Sequence, residues 1–159
     1  MQITDFISSF RGVLETKLTG QRNDWEELAA LDPLRAVLSD AEMRFNRWDY
    51  ARFFRTGGQE IGALVAHAKQ LGFPGQWHRA LDFGCGFGRL TRALRACFPE
   101  CHGVDISSRM VRRARELAPE CDFHTNMEAN LQLFNGSYFD LVYSVIVLQH
   151  QPSRAVVFS

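Results

Sequence analysis

The chain has 159 residues, 46% hydrophobic and 23% charged, with a formal net charge of zero. That is the size and composition of one soluble globular domain with its own core. Zero net charge gives no electrostatic case for nucleic acid or an acidic membrane as partner, and the longest apolar stretch, near Leu141 to Leu148, is far short of a bilayer span. Met1 to Asp5 shows no basic segment and no small-residue cleavage site, so no signal peptide is expected. Cys85, Cys97, Cys101 and Cys121 lack paired C-x-x-C spacing. They read as reduced thiols, with no metal site, in a cytoplasmic protein.

Ile3, Phe6, Ile7, Phe10, Val13, Leu14 and Leu18 recur at helical spacing, which predicts a helix over 3–18. Its apolar face is read as packed on its own domain, with a substrate lid or a dimer contact as the other uses. A short helix is expected from Trp25 to Leu31 after Asn23 or Asp24, and another from Asp32-Pro33. Between Arg44 and Thr56, Phe45, Trp48, Tyr50, Phe53 and Phe54 interleave with Arg44, Arg47, Arg52 and Arg55. Core packing accounts for these aromatics first and a wall over a ligand pocket second. Nucleic-acid binding, which such interleaving can also serve, is disfavoured by the zero net charge. Thr56-Gly57-Gly58 reads as an interruption, followed by a helix from Gln59 to Leu71 that Gly72-Phe73-Pro74-Gly75 ends.

From Arg79 onward strand and helix alternate. Strands are expected over 79–83, 101–105, 121–125 and 139–147. Helices are expected over 88–97 and from Ser107 or Ser108 to Leu117, with a loop up to Gly136. This is the α/β pattern of a parallel sheet covered by helices. The arginines of the two crossover helices are read as solvated outer faces. The last strand is apolar on both sides, as a central strand would be. Standing at an edge, it would invite a second copy or another partner to cover it.

Ala80-Leu81-Asp82-Phe83 runs into Gly84-Cys85-Gly86-Phe87-Gly88, and a helical pattern starts at Arg89. A strand ending in a glycine turn before a helix makes a site for a nucleotide-like ligand. A second apolar run ends at Asp105, where a ribose diol would need an acceptor. A dinucleotide fingerprint wants its third glycine one position later, and the Gly-Lys-Ser/Thr ending of a phosphate loop is missing. Asp82 before the turn would oppose a pyrophosphate and suit a cationic ligand.

Taken in order, Leu81 to Leu90, Gly103-Val104-Asp105-Ile106-Ser107, Met110, Ala114-Arg115, Tyr138 to Ser144 and Leu148-Gln149-His150 resemble a class I S-adenosylmethionine-dependent methyltransferase. The resemblance covers Arg79 to Pro152, and Phe53-Phe54-Arg55-Thr56-Gly57 resembles the leader of some members. It implies a Rossmann-like parallel sheet lacking strands 5–7, with an N-terminal helical extension over 1–76 and a cofactor-binding half-domain over 77–159. Gly84, Gly86 and Gly88 would bend around the methionine part of S-adenosylmethionine, with Asp82 facing its ammonium side through water. Asp105 would accept from both ribose hydroxyls. Ile106 and Met110 would flank the adenine, Asn126 and Met127 would lie at its edge, and Ser144 would sit beside the sulfonium. His150 would be a base or substrate contact, and the methyl acceptor a small molecule. Because the resemblance stops after strand 4, the sequence is expected to be a truncated form or a fragment. A non-catalytic cofactor-binding or protein-interaction module is the alternative. A nicotinamide-dependent oxidoreductase is disfavoured by the glycine spacing and by Asp82.

Overall fold

The computed structural model describes residues 19–30, 49–128 and 130–148. Its elements are helix α1 (19–30), α2 (Tyr50–Gln70), β1 (Arg79–Phe83), α3 (Arg89–Leu94), β2 (Glu100–Asp105), α4 (Ser108–Leu117), β3 (Asp122–Thr125) and β4 (Leu141–Tyr143). The strands form one parallel sheet in the order β3-β2-β1-β4. The α/β class and the parallel sheet read from the sequence are what the structure has.

Strand periodicity sends Ala80 and Asp82 of β1 to one face with their partners Cys101, Gly103, Leu141 and Tyr143. On that face the core gathers Ala80, Cys101, Cys121 and Phe123 with Leu90 and Leu94 of α3, Val111 and Ala114 of α4, and Ile61 and Val65 of α2. The opposite face carries His102 and His124, whose ring nitrogens lie 3.2 Å apart. Phe134, Tyr138 and Phe139 pack edge-on to His102 from the loop before β4.

Helix α2 runs unbroken through Thr56-Gly57-Gly58, where the sequence suggests an interruption. Asp49 caps it by accepting from the Arg52 N–H at 2.6 Å. Gly57 is needed for close approach: a Cβ there would come within 2.5 Å of the Arg89 carbonyl oxygen. The glycine lets α2 press onto the start of α3 at no break in the helix. Helix α1 also starts earlier than Asn23, being helical from residue 19. The expected helix over 3–18, the one from Asp32-Pro33 and residues 44–48 lie outside the described residues.

Strand β4 is much shorter than the 139–147 run expected. It ends at Tyr143, and the Ser144 hydroxyl then donates to the Phe83 carbonyl at 2.9 Å. Ile146 adopts φ 65°, which turns the chain back over the end of β1. Val142, expected to be buried, is 57% exposed.

Candidate cofactor site

The turn between β1 and α3 is built by packing as much as by conformation. Gly84, Gly86 and Gly88 all have positive φ, at 82°, 51° and 78°. An added Cβ on Gly84 would meet the Val147 side chain at 2.1 Å, and one on Gly88 would meet the Phe123 ring at 2.7 Å. Val147 and Phe123 thus fill the places where side chains at Gly84 and Gly88 would stand. The Gly84 and Cys85 amides both donate to the Val104 carbonyl, at 2.7 and 3.0 Å, which lashes the turn to β2.

Asp105 ends β2 directly beside this turn. Its Oδ2 accepts from the Gly86 N–H at 2.9 Å and its Oδ1 from the Ser107 N–H at 2.9 Å. Burial pushes its carboxyl above the ordinary range, and these backbone donors offset only part of that push. Two donors leave lone pairs on both oxygens for a further pair of hydroxyls. The turn and the acidic residue are one hydrogen-bonded unit, so the residues suit an adenosyl cofactor with a ribose diol.

Residues 80–158 match the family described as a methyltransferase domain. The chain belongs to the class I S-adenosylmethionine-dependent methyltransferases. Over 77 residues it is 38% identical to a trans-aconitate 2-methyltransferase of Enterobacter sp. (strain 638), covering 46% of this chain and 29% of that protein. Over 97 residues it is 34% identical to a 23S rRNA (uracil(1939)-C(5))-methyltransferase of Stenotrophomonas maltophilia, covering 61% of this chain and 20% of that one. The chain therefore spans less than a third of the length of these two curated relatives. In structure it resembles the magnesium protoporphyrin IX methyltransferase of Synechocystis PCC 6803 with bound S-adenosylmethionine. The TM-score is 0.59 at 25% identity, over 89% of this chain and 68% of that one. S-adenosylmethionine is the cofactor of this methyltransferase family, and no helix among the described residues is long and apolar enough to cross a membrane.

The structure gathers some of the expected site residues at this methyltransferase turn and turns others away from it. Ile106 follows Asp105 and is half-buried. Met127 is 55% exposed at the end of β3. Ser144 lies against the end of β1 through its bond to Phe83. Met110, expected beside the adenine, is instead 2% exposed in a small core with Ala29, Phe53 and Phe87. It is the third residue of α4, one turn past the N-cap Ser107, and that turn points it inward. Asn126 is committed to its own loop. Its Nδ2 donates to the Asn130 carbonyl at 2.6 Å, and its Oδ1 accepts from the Glu128 N–H at 3.1 Å. His150 lies outside the described residues.

Asp82, expected to face the ammonium group, is 2% exposed and accepts from the Thr91 hydroxyl at 2.7 Å. It braces the turn against α3 and is closed to solvent. Thr91 went unnoticed in the sequence, although its place nine residues after Asp82, two into the helix, is a readable signal. Burial pushes the Asp82 carboxyl up to about 6 from 3.8, with the Thr91 bond opposing. A raised folded-state value means that the group favours folding most below its unfolded pKa, and that this contribution is lost as pH rises through about 6. The full shift is worth about 3 kcal/mol, and an amide with an unplaced N–H gives back about 1. The Asp82→Asn variant is expected to be more stable than wild type by about 2 kcal/mol at pH 7 and to lack the decline between pH 4 and 6. Urea denaturation across that range measures this, and parallel pH profiles for the two proteins would rule the assignment out.

A second polar cluster ties α2 to the turn. Arg89, next after Gly88, is 4% exposed. Its Nη2 donates to Glu60 at 2.8 Å and its Nη1 to the Thr56 hydroxyl at 3.4 Å. The Tyr143 hydroxyl donates to the other Glu60 oxygen at 3.1 Å, and burial together with the Glu60 charge pushes that phenol up to about 12. Residues of α2, α3 and β4 thus meet on one carboxylate.

Proposed function

We propose that the chain is the S-adenosylmethionine-binding part of a cytoplasmic methyltransferase that acts on a small molecule. The observation that carries this reading is the pairing of Asp105 with the Gly86 amide, which joins the ribose acceptor and the glycine turn in one cradle. Bound there, the cofactor supplies a methyl group on a positively charged sulfur, ready for direct displacement. The chain's own residues then have to bind and orient, which is most of what such a transfer requires. Asp105 receives the ribose hydroxyls. Ile106 and Met127 flank the adenine, the turn of Gly84, Gly86 and Gly88 takes the methionine part, and Ser144 lies toward the sulfonium. His150 is the base or substrate contact where the acceptor must lose a proton. Residues 77–159 make the cofactor-binding half and residues 1–76 its helical cover.

A small acceptor is favoured by the zero net charge and by relatives named for trans-aconitate and ubiquinone biosynthesis. A relative named for rRNA is the counterweight. Calorimetry with S-adenosylmethionine, S-adenosylhomocysteine and NAD tests the cofactor, and preference for NAD would overturn the reading. Asp105→Ala is expected to weaken binding of S-adenosylhomocysteine by about 1.5–3 kcal/mol, the usual worth of a hydrogen bond to a charged group. An unchanged affinity would remove Asp105 from the ribose.

The β4 edge favours a second feature. Val142 of β4 and Ile146 just beyond it are both 57% exposed, and β4 is an edge strand of the sheet among the described residues. A second copy covering this edge satisfies both the apolar surface and the open backbone. Light scattering is expected to report a dimer that Val142→Lys converts to monomer; a wild-type monomer at high concentration speaks against it.

A further inference from the structure

Helix α1 reaches both of the segments that bracket Asp105. On one side, the Glu26 carboxylate accepts from the Ser108 hydroxyl at 2.9 Å and from the Arg109 N–H at 3.2 Å. Ser108 follows Ser107, whose amide is bonded to Asp105. On the other side, the Arg22 guanidinium donates to the Met127 sulfur at 3.2 Å. Met127 follows Asn126, whose amide is bonded to the Asp105 carbonyl at 3.0 Å. Arg22 and Glu26 are four residues apart, so one turn of α1, a rise of about 6 Å, links the loop after β2 to the loop after β3. Further along the same helical face, Ala29 is sealed against Phe53, Phe87 and Met110.

We propose that α1 is a strap across the adenosine end of the cofactor site, fastened by Glu26 and Arg22, and that Glu26 is a positioning residue that governs how fast the cofactor leaves. The proposal rests on the assignment of Asp105 and Met127 to the cofactor. Three features favour it over a merely structural helix. Both fastenings are polar and partly solvent-exposed, so they open at low cost, whereas the Ala29 end is an apolar anchor. Both fastenings also grip residues one or two positions from groups bonded to Asp105. The Glu26 charge lies close enough to Asp105 to add to the upward push on its carboxyl, so the two carboxylates sense one another. Around Glu26 the charged neighbours are Arg109, at 3.5 Å from α4, and Asp105 from β2. Ser108 and the Arg109 amide hold the Glu26 carboxyl below its ordinary range against the opposing effect of burial.

The test is stopped-flow release of S-adenosylhomocysteine, followed by intrinsic tryptophan fluorescence, to which Trp25 on α1 contributes, from wild type, Glu26→Ala and Glu26→Gln. Removing the charged acceptor is expected to speed release about tenfold or more in Glu26→Ala. Glu26→Gln, which keeps an acceptor, is expected to fall between that variant and wild type. A purely structural role would lower the melting temperature and leave the release rate of the folded protein unchanged, which overturns the proposal. In wild type, S-adenosylhomocysteine is expected to protect the Arg22–Asn23 bond from trypsin; equal cleavage with and without it also overturns the strap. Wild type that binds no S-adenosylhomocysteine would refute the cofactor assignment, whereas binding with unaltered kinetics in Glu26→Ala would refute the strap alone.

Discussion

Glu60→Ala is expected to destabilise the protein by about 3–5 kcal/mol, because it leaves a guanidinium buried without its carboxylate. The Arg89 side chain is 5% exposed and that of Glu60 31%. After the substitution, Arg89 keeps the long contact to Thr56 at 3.4 Å, and its Nε already has no partner among the described residues. Glu60 is only partly exposed, so water entering its place hydrates the guanidinium from one side, and fuller hydration means opening the α2–α3 contact. That contact is tight at Gly57, so it does not open easily.

The reverse substitution has a different cost. Arg89→Met removes the buried charge and fills much of its volume with apolar atoms. Glu60 then keeps the Tyr143 hydroxyl and its own access to water. The charge left on Glu60 is partly exposed and can be hydrated, so a cost of only about 1 kcal/mol is expected. Urea denaturation of the two variants at pH 7 decides it. If Arg89→Met costs as much as Glu60→Ala, the pair is a net source of stability and the desolvation argument fails. Both variants should also alter cofactor affinity, since Arg89 is bonded in sequence to the last glycine of the turn.

The regular part of this fold was legible in the sequence because each element there satisfies its local signals. Strands β1 to β3 are short runs that alternate with helical segments between turn residues, and α4 is capped by Ser107, whose hydroxyl accepts from the Met110 N–H at 3.2 Å. The turn at Gly84 to Gly88 and the place of Asp105 beside it were legible as structure for the same reason, since each stands at the end of a run. The departures from the expected local structure share a cause. Gly57 looks like a break because glycine is a poor helix residue, yet what placed it there is the backbone of Arg89 in another element. Met110 and Asn126 were placed at the adenine by the family resemblance, from their positions on the helix after β2 and in the loop after β3. Which way each points depends on the cap at Ser107 and on the turn at Asn126. The β4 run looked nine residues long because hydrophobicity alone does not register the Ser144–Phe83 bond or the turn at Ile146. The contacts of Glu26 and Arg22 join residues 82 to 105 positions apart, and no local pattern announces them.

Gly84→Ala is expected to cost about 2–5 kcal/mol and to weaken cofactor binding. About 1–2 kcal/mol comes from a side chain in the left-handed region at φ 82°, and about 1–3 from displaced packing. The clash at 2.1 Å is with a Val147 methyl whose Cβ is itself at 3.1 Å. Valine is stiff about χ1, so rotation alone cannot clear the new methyl. The segment after β4 has to lift, and it is the segment held by Ser144 on Phe83 and turned at Ile146. A displacement there moves Ser144 away from the turn, so stability and S-adenosylhomocysteine affinity should fall together. Gly58→Ala is the matched control. It lies within α2 with open space where its Cβ would go, so it should gain about 0.5–1 kcal/mol from helix propensity and leave the affinity unchanged. Thermal denaturation and calorimetry on the two variants separate the roles. If Gly84→Ala binds S-adenosylhomocysteine as wild type does, the first glycine of the turn serves only the packing of Val147, and the cofactor does not approach the backbone at that position.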